Sequence, residues 1–215
     1  MARPTLNDDE RAERRQQLLT AAHGLFRASR TLPSVAEIAS SAGVAKGSVY
    51  RWFSTKEEIF LALLEDSFSG LLAQVLSHIE SLPSTPPEAA ACFAASYAQA
   101  LTQFPDLLPL AGMTNAVLEK NLPLEAMLQF KQGLADSLRA AGSALERGGR
   151  RFTQGDGADL LLHTWSLTMG LWQALDFPCD IRAQMQSPEL MILNRDFMTE
   201  LRIAVQALWR GALSM

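Results

Sequence analysis

The side chains best suited to binding chemistry are concentrated in one short stretch, residues 42–56. Its sequence is AGVAKGSVYRWFSTK, in which Val49 and Phe53 are the large apolar residues expected to face inward. Lysine, arginine, serine and tyrosine side chains donate hydrogen bonds to phosphate oxygens and to base edges. A glycine at position 47 would let the main chain approach a phosphate closely. These residue types therefore indicate contact with a nucleic acid.

Two short helices joined by a tight turn are predicted to position these side chains. Ser34, followed three residues later by Glu37, is a capping box that starts the first helix. Gly43 stands where a left-handed residue would end it. The second helix is predicted over about residues 46–52. Two such helices make a helix-turn-helix, whose second helix can lie in a DNA major groove. Ser54-x-x-Glu57 repeats the capping-box pattern and predicts the start of a third helix.

The stretch from Arg15 to Leu64 resembles the DNA-binding domain of the TetR (tetracycline repressor) family of bacterial transcriptional regulators. The resemblance is carried by Ala21-Ala22, Leu25-Phe26, Ser34-Val35, Ile38-Ala39, residues 42–53 and Lys56-Glu57. It departs from the family pattern after the first helix, where the segment of residues 29–33 is about one residue shorter than in the family and lacks the usual glycine. The resemblance implies that Ala45 and Lys46 lie at the base-contacting end of the second helix, and that Tyr50 and Lys56 bind phosphate.

The predicted DNA-binding surface combines the capping residue of the first helix, the second helix and the start of the third. Its residues are Ser34, Ala45, Lys46, Gly47, Ser48, Tyr50, Arg51, Trp52 and Lys56. An alternative for Tyr50 and Trp52 is that they cap the small core of this region.

The net charge of −4 is unfavourable for DNA binding, but the charges are unevenly distributed between the two parts of the chain. Residues 1–60 hold nine Lys and Arg against seven Asp and Glu, a balance of +2, and the remainder holds ten against sixteen, a balance of −6. Because the positive balance is modest, we expect binding to need two such domains and to weaken with salt.

The whole chain is predicted to be all-α, with about nine helices, because apolar residues recur at helical spacing nearly everywhere. Its 215 residues suit a helix-turn-helix DNA-binding domain over residues 1–60 and a helical effector-binding and dimerisation domain over residues 61–215. One long helix, from Thr55 to Ile79, would join the two. The sequence lacks an apolar run and a leader pattern typical of membrane insertion or export, so we expect a cytoplasmic protein.

The larger domain carries methionine and aromatic residues that are adaptable linings for an apolar ligand. For each residue taken alone, ordinary core packing is the alternative. The resemblance implies a small-molecule effector site among the middle helices, with Asn115, Gln129 and His163 as polar candidates. The predicted lining is Phe93, Tyr97, Met113, Met127, Phe130, Trp165, Met169 and Trp172. An effector bound there is expected to weaken DNA binding by moving the long helix.

The last two helices, predicted within residues 158–175 and 188–209, have apolar residues on more than one face. This surplus predicts an isologous four-helix interface with a second copy of the chain. The predicted interface residues are Leu160, His163, Leu167, Leu171, Phe197, Leu201, Ala204, Val205 and Leu208, with Met198 and Trp209 outside the stripe. Burial in a monomer core is the alternative, and the resemblance implies dimerisation through these helices.

No arrangement typical of an enzyme is found in the sequence. G-x-S-x-G, G-x-G-x-x-G and P-loop motifs do not occur, and Cys92 and Cys179 lack metal-ligand spacing. We therefore expect no catalytic residues, metal or cofactor, and two reduced thiols. The predicted function is a sequence-specific transcriptional regulator, a repressor released from its operator DNA by an apolar effector. An activator, or a ligand-independent regulator with the same DNA-binding domain, is the alternative.

Overall fold

The computed structural model describes residues 8–114, 119–148 and 152–214. Within these ranges every regular element is a helix, which confirms the predicted all-α class. The helices are α1 (Asp8–Ser29), α2 (Val35–Ser41), α3 (Lys46–Val49), α4 (Lys56–Glu80), α5 (Pro86–Leu101), α6 (Leu107–Gly112), α7 (Glu119–Asn121), α8 (Leu124–Arg147), α9 (Asp156–Leu175), α10 (Cys179–Gln184) and α11 (Phe197–Leu213).

Contacts divide the described residues into two compact units. The first unit is Met1–Ser67 with Pro109–Phe130, and the second is Phe68–Leu108 with Lys131–Met215. Helices α4 and α8 each contribute residues to both units. The domain boundary between residues 60 and 61 stays a prediction from the sequence.

The core of the first unit forms where α1 packs on α2 and α2 packs on α3. Leu18, Leu19, Ala22 and Phe26 recur at helical spacing on α1, and all four are buried. The ring of Phe26 lies 5.9 Å from that of Phe60 on α4, measured between centroids. The long N-terminal helix thus braces both the helix-turn-helix and the helix that follows it.

The core of the second unit forms where α11 packs on α5 and α9. At its centre three aromatic rings are stacked. Trp209 of α11 lies 3.4 Å from Phe93 of α5, and Phe93 lies 5.6 Å from Tyr97, both measured between ring centroids. All three residues are buried, so the stack lies at the centre of the apolar core of this unit.

Two threonines of α9 satisfy the polar groups of this aromatic stack. The indole Nε1 of Trp209 donates to Thr164 Oγ1 at 2.9 Å, and the Tyr97 hydroxyl lies 2.9 Å from Thr168 Oγ1. The Thr168 hydroxyl donates to the Thr164 carbonyl, so the Tyr97 hydroxyl is the donor in its own bond. Burial raises the pKa of Tyr97. Each polar group in the stack therefore has a partner, as buried polar groups require.

Helices α8 and α9 approach closely at two glycines. A Cβ atom built on Gly142 would overlap the backbone of Ala158, and one built on Gly157 would overlap the backbone of Gly142. Beside this contact, Glu146 Oε1 accepts hydrogen bonds from the N–H groups of Gly155 and Gly157, at 2.9 Å and 3.2 Å. The side chain of one helix thereby caps the start of the next.

The final helix begins at Phe197, inside the predicted range of residues 188–209, and runs on to Leu213, beyond the predicted end. It starts there because Asp196 Oδ1 accepts a 2.9 Å hydrogen bond from Thr199 N and caps the helix. The intervening residues form α10 and a 3-10 turn at Met191–Leu193, neither of which was predicted.

Helix α4 is long and apolar enough to cross a membrane, judged by length and composition alone. Half of its most apolar window is nevertheless buried inside the chain. The buried residues include Ile59, Phe60, Leu64 and Phe68, which is the pattern of a core helix in a folded domain.

Candidate nucleic-acid interface

The capping box predicted at the start of α2 is confirmed. The Ser34 N–H donates to Glu37 Oε2 at 2.8 Å, and the Glu37 N–H donates to Ser34 Oγ at 3.3 Å. Hydrogen bonding with the Ser34 backbone, and to a smaller extent with the Ser34 hydroxyl, lowers the pKa of Glu37. The first turn of α2 is therefore held by two reciprocal bonds.

The turn between α2 and α3 depends on Gly43, whose φ is +65°. This left-handed conformation favours glycine because it has no Cβ. Helix α3 begins at Lys46 after the extended residue Ala45. Its regular part ends at Val49, earlier than predicted, and the following residues form a tighter turn in which Trp52 N donates to Val49 O at 2.9 Å.

The helix-turn-helix presents a polar face and buries an apolar one. Val49 and Phe53 are buried, as predicted. The exposed residues of the predicted DNA-binding set are Ser34, Ala45, Lys46, Gly47, Tyr50 and Arg51, whereas Ser48, Trp52 and Lys56 are half-buried. Because Tyr50 is 52% exposed, its phenol is free of the core, and only Trp52 fits the alternative of a core cap.

The start of α4 differs from the sequence prediction by one residue. Thr55 Oγ1 accepts from Glu58 N at 3.2 Å, and Ser54 N donates to Glu58 Oε2 at 2.7 Å. The predicted pairing of Ser54 with Glu57 is therefore wrong. Glu57 is buried instead, and its Oε1 lies 3.9 Å from Lys56 Nζ.

The geometry shows one residue that supports the site, Arg15 of α1. Its guanidinium carbon lies 5.3 Å from the centroid of the Phe53 ring. A cation over an aromatic face is attracted by the ring quadrupole. Because Phe53 directly follows the turn after α3, this contact holds α1 against the segment that follows α3. Two residues so distant in sequence show no local pattern that would have predicted it.

The residues predicted to line an effector site are divided between the two units. Met113, Met127 and Phe130 belong to the first, and Phe93, Tyr97, Trp165, Met169 and Trp172 belong to the second. Phe93 and Tyr97 are part of the aromatic stack, and the half-buried Trp165 ring meets that of Phe68 edge-on at 4.6 Å between centroids. Asn115 lies outside the described residues. Which of these side chains contact an effector stays a prediction.

Three of the predicted dimer-interface residues face the interior of their own chain. Leu160, Leu201 and Val205 are buried, so their assignment to a surface is corrected. The inward stripe of α11 is Leu201, Val205 and Trp209, because these residues face α5 and α9. Of the other predicted residues, His163 is exposed and Leu167, Leu171, Phe197, Ala204 and Leu208 are half-buried.

The outward faces of α9 and α11 carry apolar residues that the sequence prediction omitted. Leu162 is 45% exposed and Ile203 is 57% exposed. Each of them adjoins a predicted interface residue in the sequence. The sequence therefore predicted surplus apolar surface on these helices but not which face of α11 carries it.

Two family models together match nearly the whole chain. Residues 18–63 match the model of the bacterial regulatory proteins, tetR family, and residues 61–215 match that of the tetracyclin repressor-like, C-terminal domain. No curated protein sequence matches the chain.

Solved structures show the same fold. A chain assigned to the TetR-family transcriptional regulators from Mesorhizobium loti is 20% identical, with a TM-score of 0.61 over 94% of this chain and 96% of that one. The fatty acid degradation regulator FadR from Bacillus halodurans is 17% identical, with a TM-score of 0.56 over 91% and 97%. FadR from Bacillus subtilis, in complex with stearoyl-CoA, is 17% identical, with a TM-score of 0.55 over 92% and 98%.

Proposed function

Because the chain belongs to the TetR family of bacterial regulatory proteins, we propose that it is a homodimeric repressor released from its operator by a small, largely apolar effector. Members of this family are DNA-binding transcriptional regulators and not enzymes. We place its action in the cytoplasm, where bacterial DNA is found.

The observation that carries the proposal is the exposed surface of α3 and of the turn that follows it. Lys46, Tyr50 and Arg51 are exposed on the helix-turn-helix, while Val49 and Phe53 hold the same segment to the core. Hydrogen-bond donors on a short, fixed helix suit a DNA major groove and its phosphates.

Electrophoretic retardation with the DNA upstream of the protein's own gene tests DNA binding. We expect a retarded complex whose affinity falls with salt. The variant Lys56→Ala should bind more weakly and reduce the salt slope by about 1, since it removes one phosphate contact. Arg139→Ala is the matched control, because Arg139 is an exposed cation on α8 that pairs with Asp136. An affinity and slope for Lys56→Ala equal to those of the parent would remove that residue from the interface.

Repression is tested separately from binding. A reporter under the same upstream DNA should give lower output when the protein is present and higher output when an effector is added. Higher output on adding the protein alone would identify an activator and contradict the proposed repression.

Dimerisation gives the proposed repressor two DNA-binding surfaces. The outward faces of α9 and α11, with Leu162 and Ile203 exposed, suit an isologous contact around a two-fold axis. The operator should then be a pseudo-palindrome with half-sites roughly 34–36 Å apart, or somewhat more. Footprinting of the retarded complex checks this spacing.

The proposed effector is apolar because the predicted lining offers aromatic and thioether groups and few charges. One structural neighbour is described in complex with stearoyl-CoA, so long-chain fatty acyl thioesters are the first compounds to test. We propose that binding shifts α4, which contributes residues to both units, and so alters the DNA-binding surface.

A thermal-shift screen followed by DNA release tests this coupling. Hits should raise the melting temperature and weaken DNA binding at saturation, with a coupling of about 1–3 kcal/mol. Compounds that stabilise the protein but leave DNA affinity unchanged at saturation would show that the site is not coupled to the DNA-binding surface.

A further inference from the structure

Four consecutive apolar side chains are exposed between α10 and α11. Leu190 is 38% exposed, Met191 55%, Ile192 71% and Leu193 42%. We name this segment, residues 190–193, the apolar turn. A run of this kind is unfavourable in water, and exposed apolar patches of this type mark binding surfaces.

The polar groups around the apolar turn are engaged within their own chain. Arg195 Nε donates to the Ile192 carbonyl at 3.4 Å, and its Nη1 lies 3.8 Å from Glu200 Oε1. Asp196 caps α11, and Glu189 is hydrogen-bonded to Ser187. What the turn offers to a partner is therefore its apolar side chains.

The backbone of the apolar turn is held by local hydrogen bonds. Leu193 N donates to Leu190 O at 2.9 Å, and Asn194 N donates to Met191 O at 3.1 Å. Before the turn, Met185 is buried and Arg182 Nη2 donates to Leu175 O at 3.1 Å. A surface ordered in this way pays less conformational entropy when it binds.

The outer face of α11 carries an open groove of about 530 Å³. Its lining is Ile203, Gln206, Ala207, Arg210, Gly211 and Ser214. Ala207 and Gly211 are small, so the groove lies over the C-terminal half of the helix. The apolar turn lies at the opposite end of the same helix, just before its first residue.

A two-fold axis across α11 would bring these two features together. The 17 residues of α11 span about 25 Å at 1.5 Å per residue. If two copies of α11 cross antiparallel near Ile203, the N-terminal end of each lies beside the C-terminal half of the other. The same contact is then made twice, as an isologous interface requires.

We propose that the apolar turn of one chain docks into the α11 groove of a second copy, which extends the dimer interface beyond the helices α9 and α11. This inference rests on the proposed dimerisation. DNA is a poor occupant for the apolar turn because the turn has no cationic side chain to neutralise phosphate. A second copy supplies a groove whose floor holds the small residues Ala207 and Gly211, and this groove includes Ile203, one of the exposed residues of the proposed dimer face.

The first test is the dimer dissociation constant of Ile192→Ser, measured by sedimentation over a dilution series. We expect the dissociation constant to rise roughly tenfold or more, because an apolar contact is lost in both copies. Leu124→Ser is the matched control, since Leu124 is 74% exposed and belongs to the first unit. It should leave the dissociation constant unchanged. Equal dissociation constants for Ile192→Ser and the parent dimer would overturn the inference and leave the proposed dimer intact.

The second test is cross-linking in a full-length chain that also carries Cys92→Ser and Cys179→Ser. Adding Ile192→Cys and Gly211→Cys together should give a disulfide-linked dimer under mild oxidation, because the crossing places the apolar turn beside the end of the partner's α11 and a disulfide needs Cα atoms within about 7 Å. Each cysteine alone should give little disulfide-linked dimer. A dimeric protein that forms no linked product with the pair would overturn the docking, and a monomeric parent at all concentrations would overturn the proposed dimerisation with it.

Discussion

Arg15 connects α1 to the segment that follows α3 through a contact with the Phe53 ring. Its guanidinium lies over the face of Phe53, so removing it should loosen the helix-turn-helix without removing a DNA contact. We expect Arg15→Ala to lower the free energy of unfolding by about 0.5–1 kcal/mol, the usual worth of an exposed cation–π pair. Chemical denaturation measures this.

The neighbouring Arg14 provides the control for that experiment. Its Nη1 donates to Gln17 Oε1, at 2.9 Å on its own helix, so Arg14→Ala should change stability less. Equal losses for the two variants would contradict the assigned role of Arg15.

Glu37 makes the stability of α2 depend on pH. Hydrogen bonds from Ser34 lower its pKa below the ordinary 4.5. The stabilisation is therefore present above that unfolded value and is lost as the pH falls through the lower folded value. Melting temperatures of the parent and Glu37→Gln should differ at pH 7 and converge at acid pH. A difference that stays constant across this range would contradict the assignment.

At the scale of elements, the crossing of α8 and α9 is set by Gly142 and Gly157. A Cβ at position 142 would meet backbone, which cannot move aside as a side chain can. We expect Gly142→Ala to destabilise the protein by about 1–3 kcal/mol, the cost of overpacking.

Gly133 on the same helix provides a matched control. A Cβ built there meets nothing within 4 Å, so Gly133→Ala should stabilise the helix by up to about 1 kcal/mol. Thermal melts of both variants check the opposite signs. A stabilising change for both variants would show that the α8–α9 contact has room for a Cβ atom at position 142.

At the scale of the whole molecule, α11 serves the fold with one face and is available for pairing with another. Leu201 is buried, whereas Ile203, two residues later, is 57% exposed. Leu201→Glu should therefore unfold the second unit, because a charge would be placed in its core. Ile203→Glu should leave the fold intact and dissociate the proposed dimer.

Circular dichroism and sedimentation separate these two outcomes. A folded, dimeric Ile203→Glu variant would show that the pairing face lies elsewhere. A folded Leu201→Glu variant would contradict the inward stripe of α11.

The sequence by itself determined three local features of the DNA-binding region. The Ser34–Glu37 capping box, the left-handed Gly43 and the inward Val49 and Phe53 all depend on neighbours a few residues away. Such interactions are visible as spacing, and they were predicted with the residues that the structure shows.

Only the tertiary structure decided which faces of the later helices are buried. Helix α11 is apolar on more than one side, so spacing alone permitted Leu201 and Val205 to point outward. Packing against α5 and α9 buries the stripe that ends in Trp209. The indole of Trp209 stacks there on the Phe93 ring and donates a hydrogen bond to the Thr164 hydroxyl. Contacts such as Arg15 with Phe53 and Gly142 with Gly157 join residues far apart in sequence, and their partners are set by how the chain folds back on itself.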